Sequence, residues 1–166
     1  MWSCRSFIPL MLGLGLLACQ APVPSLSPEP VSAPNPEALN NQGNTARDNK
    51  DYAAAMRLYR QAVAMGDGAA MNHIGRLYQN GWGVPADYGE ALRWYRQAAE
   101  RGNAAAMDNI GWFYQNGWGV APDYGEAMRW YQQAAERGNT AAMTNIGWLY
   151  QHGRGVPQNY GEAMRW

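Results

Sequence analysis

Cysteine is almost missing from this chain of 166 residues: Cys4 and Cys19 stand near the N-terminus and none follows. No disulfide therefore ties the main body together, and no thiolate cluster there can hold zinc. Lysine is reduced to Lys50, and the 13 basic residues are balanced by 13 acidic ones. That balance argues against a footprint on nucleic acid or on an acidic membrane surface. The histidines, His73 and His152, have no second ligand at metal spacing, so both are expected at the surface and neither metal nor cofactor is expected. No stretch alternates as a strand does. Ser-x-x-Lys, a nucleophile elbow and a phosphate loop are all missing, so no catalytic residue is assigned.

What is present is repetition. The stretch Asp87 to Pro122 recurs almost unchanged from Asp123 and more loosely from Asp51, and begins again at Asn159. Tyr52, Tyr88, Tyr124 and Tyr160 mark a fixed period of 36 residues. A period of that size signals a solenoid of stacked supersecondary units.

Two helices fit each period. The first is predicted over Tyr88 to Arg101, where Tyr88, Ala91, Leu92, Tyr95, Ala98 and Ala99 share one face. Asp87 suits its N-cap, and Glu90 three residues later predicts a capping box, repeated by Asp123 with Glu126 and by Asn159 with Glu162. These carboxylate pairs read as caps and not as a catalytic couple, because they recur in every repeat. Gly66, Gly102 and Gly138 suit the left-handed helix end. The second helix is predicted from about Ala104 to Asn116, with Ala106, Met107, Ile110, Gly111 and Tyr114 as its apolar stripe. A glycine inside a helix costs about 1 kcal/mol against alanine. Gly75, Gly111 and Gly147 recur in register, so each is expected to admit a neighbouring helix closely. The pairs Glu90/Arg93, Glu126/Arg129 and Glu162/Arg165 read as surface ion pairs.

The positions Ala91, Trp94, Tyr95, Ala98, Ala99, Gly102, Ile110, Gly111, Tyr114, Gln115, Gly117, Gly119, Val120 and Asp123 together resemble the Sel-one-like repeat, a branch of the tetratricopeptide superfamily. The resemblance covers roughly Asp67 to Trp166, and Glu37 to Met65 looks more like an ordinary tetratricopeptide helix pair. It implies an all-α, right-handed α-solenoid of antiparallel helical hairpins and a binding role without chemistry. The expected units are 37–66, 67–102, 103–138 and a shortened 139–166. The resemblance also implies that helices 69–80, 104–116 and 140–152 line the concave side, with 52–65, 88–101 and 124–137 outside. The chain stops one or two turns into an outer helix, read as a truncated gene product or as a place where a partner contributes the missing helix.

Residues 1–18 read as a leader: Arg5 is followed by an apolar run from Phe7 to Leu17 that is too short for a comfortable membrane span. Leu16-Leu17-Ala18-Cys19 resembles a bacterial lipobox, which implies cleavage before Cys19 and lipid on that residue; an ordinary signal peptide, or a buried helix with an incidental cysteine, is the alternative. Gln20 lacks the acidic character that would suggest inner-membrane retention. The implied address is thus the bacterial cell envelope, at the outer membrane facing the periplasm. Several acyl chains hold a protein firmly, at about 0.8 kcal/mol per buried methylene. Residues 19–36 carry Pro22, Pro24, Pro28, Pro30, Pro34 and Pro36 and read as an extended tether.

Candidate binding residues lie off the apolar stripe of the inner helices. At 100° per residue, Trp112 points away from Ile110, with Asp108 and Gln115 beside it. The equivalent places hold Asn72, Arg76 and Gln79 one repeat earlier, and Thr144, Trp148 and Gln151 one repeat later. Trp112 and Trp148 are expected about 10 Å apart on adjacent helices. Trp82, Trp118 and Arg154 occupy the middle of the Gly-x-Gly loops, and exposed Trp and Arg are what binding hot spots use. Packing against the next hairpin is the competing role for all these rings. Trp94, Trp130 and Trp166 read as packing residues, and Tyr78, Tyr114 and Tyr150 as core. The binding set is thus Arg76, Asp108, Trp112, Gln115, Trp118, Trp148 and Gln151. The function expected is a non-enzymatic scaffold for an extended peptide or protein, with a cell-wall glycan stacked on tryptophan as the alternative ligand. A disulfide-rich branch of the family is linked with penicillin hydrolysis, but it pins each repeat with a cysteine pair that this chain lacks.

Overall fold

The computed structural model describes residues 35–166. The expected leader, Cys19 and nearly all of the tether lie outside the described residues. The described residues form helices only: α1 (Pro36–Asp48), α2 (Tyr52–Ala64), α3 (Gly68–Asn80), α4 (Tyr88–Glu100), α5 (Ala104–Asn116), α6 (Tyr124–Glu136), α7 (Thr140–His152) and α8 (Tyr160–Arg165). None of them is long and apolar enough to cross a membrane. Pro36, taken from sequence as the end of the tether, instead opens α1, where its missing N–H is no loss. Successive helices pair as antiparallel hairpins, α1 with α2, α3 with α4, α5 with α6 and α7 with α8, and the hairpins stack into a right-handed α-solenoid. Each helix before α8 has 13 residues, so a hairpin limb is about 20 Å long.

The hairpins are locked by a glycine–tyrosine contact. Tyr59, Tyr95 and Tyr131 are fully buried. A Cβ on Gly75 or Gly111 would come within 2.6 Å of the Tyr95 or Tyr131 ring, and one on Gly43 within 2.5 Å of Tyr59. The mid-helix glycines thus admit the partner helix, as their register predicts. Each tyrosine hydroxyl then donates to a side-chain oxygen on the preceding helix: Tyr59 to Asn44 at 2.9 Å, Tyr95 to Gln79, and Tyr131 to Gln115 at 2.9 Å. Burial pushes all three phenols above their ordinary range.

Two further expectations change. The predicted capping box closes on one side only. Asp87 accepts from the Glu90 N–H at 2.9 Å, but the Glu90 carboxylate turns to Arg93 at 2.7 Å, because the Asp87 N–H already donates to Tyr78 O. Asp123 with Glu126 and Asn159 with Glu162 repeat that pattern. Tyr78, Tyr114 and Tyr150 are half-buried at the core margin, and the Tyr114 hydroxyl accepts from Arg96 at 3.1 Å.

Candidate functional site

Two side-chain rungs tie the inner helices together. Asn109 on α5 donates its amide to Asn72 Oδ1 on α3 at 2.9 Å, and Asn145 on α7 donates to Asp108 Oδ1 on α5 at 2.9 Å. Asn72 and Asp108 hold equivalent positions in successive repeats, as do Asn109 and Asn145. The rungs floor an open groove of about 550 Å³ whose lining includes Asn72, Arg76, Gln79, Trp82, Asp108, Asn109, Trp112 and Asn145. Arg76 is exposed, whereas Asp108 and Trp112 are half-buried. Burial pushes the Asp108 carboxyl above the usual carboxylate range, and the hydrogen bond from Asn145 works against that rise.

Three of the seven residues read from sequence as the binding set, Arg76, Asp108 and Trp112, therefore meet in one groove. The others lie elsewhere. Gln115 accepts the Tyr131 hydroxyl and does a structural job between α5 and α6. Trp118 stacks on Tyr88, with centroids 4.8 Å apart and planes 20° off parallel, and meets Trp112 edge to face at 4.2 Å. Trp148 and Gln151 line a smaller pocket of about 320 Å³ with Thr144, Gly147, Ala163 and Trp166.

The loop residues form a repeated clasp. Trp82 stacks on Tyr52 at 5.6 Å, Trp118 on Tyr88, and the Arg154 guanidinium lies over the Tyr124 ring at 5.6 Å. Each loop reaches back to the first residue of the outer helix one repeat earlier. Gly119, at φ 68°, sits so close that a Cβ there would lie 3.0 Å from the Tyr88 backbone. The loop rings thus have the packing role that was weighed against binding.

His73 is not the surface residue expected. It holds the position of Asn109 and Asn145, but it faces back and stacks on Tyr59 at 5.1 Å with its Nδ1 buried and unpartnered. Burial, helped by Arg47 and Arg76, lowers its pKa to about 4. His152 is exposed and tilts against Trp148 at 4.4 Å. Among the described residues no cluster of His, Cys, Asp or Glu could hold a metal ion.

Sequence reasoning passed over Asn109 and Asn145, which complete the groove floor. Their signal was available: a polar residue inside two successive inner helices, at one register, beside the apolar stripe.

Comparison with known proteins matches this geometry. The Sel1 repeat model covers residues 68–103, 104–139 and 140–166, and a tetratricopeptide repeat model covers 37–66. Among solved structures, a Sel1 repeat protein from Oxalobacter formigenes is 37% identical with a TM-score of 0.71, over 76% of this chain and 52% of that one. The protein c5321, described as a protective antigen present in uropathogenic Escherichia coli strains and displaying an SLR fold, is 32% identical with a TM-score of 0.71, over 79% of this chain and 29% of that one. A putative sel1 repeat protein from Klebsiella pneumoniae shares the fold at 24% identity and a TM-score of 0.63, over 78% of this chain and 64% of that one. The chain thus spans about half of the Oxalobacter protein and less than a third of c5321. No curated protein matches it. The repeated glycine–tyrosine hairpins, the loop clasps and a family match over three successive repeats place the chain in the Sel1 repeat family.

Proposed function

We propose that this chain is a non-enzymatic scaffold that holds an extended peptide or protein segment across α3, α5 and α7, and that it is anchored by lipid on Cys19 in the bacterial cell envelope, at the outer membrane. Sel1 repeats are commonly protein-interaction scaffolds and are generally non-catalytic. The observation that carries the reading is the groove itself. Its floor is a row of side-chain amides, Asn72, Asn109 and Asn145, with the Asp108 carboxylate among them, joined donor to acceptor between neighbouring inner helices. A main chain lying across it finds partners for its N–H and C=O groups, which an extended peptide must satisfy when it leaves water. Trp82 and Trp112 give the same groove apolar walls.

The glycan alternative rests on Trp148, which is 38% exposed. Trp82 and Trp118 serve it less well, since each is half-buried with one face on a tyrosine.

One experiment weighs both ligands and the address. A photo-crosslinking amino acid is placed at Arg76 in a bacterial host, and captured material is compared between the original chain and Cys19→Ser. Recovery of protein partners from the membrane fraction, lost with Cys19→Ser, supports the proposal. Recovery of cell-wall material alone sinks the peptide reading. Unchanged membrane fractionation of Cys19→Ser sinks the anchor.

A further inference from the structure

Asp108 carries a charge that the fold does not use. Its carboxylate accepts one hydrogen bond, from Asn145 at 2.9 Å. The matching rung one repeat earlier works without charge, because Asn72 holds the position of Asp108 and accepts from Asn109 at the same 2.9 Å. An asparagine is therefore enough to tie neighbouring inner helices.

The charge is also unfavourable where it stands. Asp108 is half-buried, and burial raises its carboxyl above the usual range. None of the ion pairs among the described residues includes it: Glu90, Glu126 and Glu162 each pair with an arginine on their own helix, and Asp48 pairs with Arg47. A partly desolvated carboxylate with no cation, beside an indole in an open groove, attracts an ammonium or guanidinium group from outside.

We propose, resting on the reading of the groove as a peptide site, that Asp108 and Trp112 form a subsite for a lysine or arginine side chain of the bound peptide. Arg76 stands on the same groove one inner helix earlier, without an ion pair among the described residues, and meets an acidic side chain of the same peptide. Neighbouring helices pack about 10 Å apart, and a polyproline-type chain advances about 3.1 Å per residue with about 3 residues per turn. Residues of opposite charge about three apart therefore reach both helices from one side of the peptide. The occupant is an extended peptide with that charge spacing.

The test uses the full chain and fluorescein-labelled peptides rich in proline and alanine. One carries Glu with Lys about three residues on; a second replaces that Lys by Gln; a third replaces the Glu by Gln. Fluorescence anisotropy gives Kd for each. Loss of the lysine is expected to weaken binding roughly tenfold or more. Asp108→Asn weakens the lysine peptide by a similar factor, leaves the Lys-to-Gln peptide unchanged, and raises the melting temperature of the free protein, because the rung is kept and the uncompensated charge removed. Equal affinity of the original chain for the lysine and glutamine peptides overturns the subsite and leaves the groove standing. So does an Asp108→Asn variant that binds the lysine peptide as well as before. If none of the three peptides binds, the groove reading falls, and this inference with it.

Discussion

Trp112 and Trp148 occupy the same position in successive repeats, on nearly identical helices, yet Trp112 is half-buried and Trp148 is 38% exposed. The cause lies in the loop that follows. Trp118 turns back and closes edge to face on Trp112 at 4.2 Å. In the next repeat Arg154 stands at that place and lies over Tyr124, so Trp148 rests on His152 of its own helix. The glycines tell the same story: Gly111 is pressed by the Tyr131 ring, whereas Gly147 meets no ring and its nearest neighbour is the Ala163 carbonyl at 3.1 Å. In an array of near copies, a residue's environment follows from the few positions at which its neighbours differ.

The largest expected effect comes from the position shared by His73, Asn109 and Asn145. Only His73 titrates, and its folded pKa of about 4 lies below its ordinary value. The unfolded chain therefore binds the proton first, and stability is lost as pH falls from about 6.5 to about 4. The loss amounts to about 2 to 3 kcal/mol. Chemical denaturation of the original chain and of His73→Asn, across pH 4 to 7, is expected to show that extra dependence only in the original. Parallel curves would mean that the ring is solvated.

Next comes the glycine pair. Gly111→Ala drives a Cβ into the Tyr131 ring and is expected to cost about 1 to 3 kcal/mol. Gly147→Ala meets a carbonyl on the short α8, which yields, and it gains helix propensity, so its net effect stays within about 0.5 kcal/mol. Urea denaturation compares the two, and equal losses would show that both glycines serve the same contact.

The smallest effect concerns the loop. Trp118→Arg copies the last loop into the previous repeat and is expected to cost about 1 to 2 kcal/mol through the lost Tyr88 and Trp112 contacts. Arg154→Trp makes the reverse copy and is expected to gain about 0.5 to 1 kcal/mol by closing on Tyr124 and Trp148. If neither variant shifts the urea midpoint, the loop identity does not set the difference between the two tryptophans.

Helix limits, caps and glycine contacts were legible because they depend on local chemistry and recur at a fixed spacing. The predicted helix over Ala104 to Asn116 is α5, and Gly66, Gly102 and Gly138 take the left-handed conformation expected of them. The site was legible in part. Helical periodicity placed Arg76, Asp108 and Trp112 on one face, and they share the groove. Periodicity alone could not show that Gln115 is spent on Tyr131, that His73 turns back onto Tyr59, or that Trp118 is claimed by Tyr88. Each of those facts depends on a partner in another helix, and a helical wheel contains one helix only.

The loop clasp bears on how such a chain can lengthen. Its two halves, Tyr88 and Trp118 in the middle of the array, stand less than one period apart, and Tyr52 with Trp82 and Tyr124 with Arg154 keep the same interval. Copying a 36-residue window of the repeats in register adds one clasp tyrosine and one loop residue, and therefore one complete clasp, with neither half left unmatched. An array joined this way can be extended by duplication without a matching change elsewhere, and each new copy is then free to alter its loop residue and retune the groove beside it.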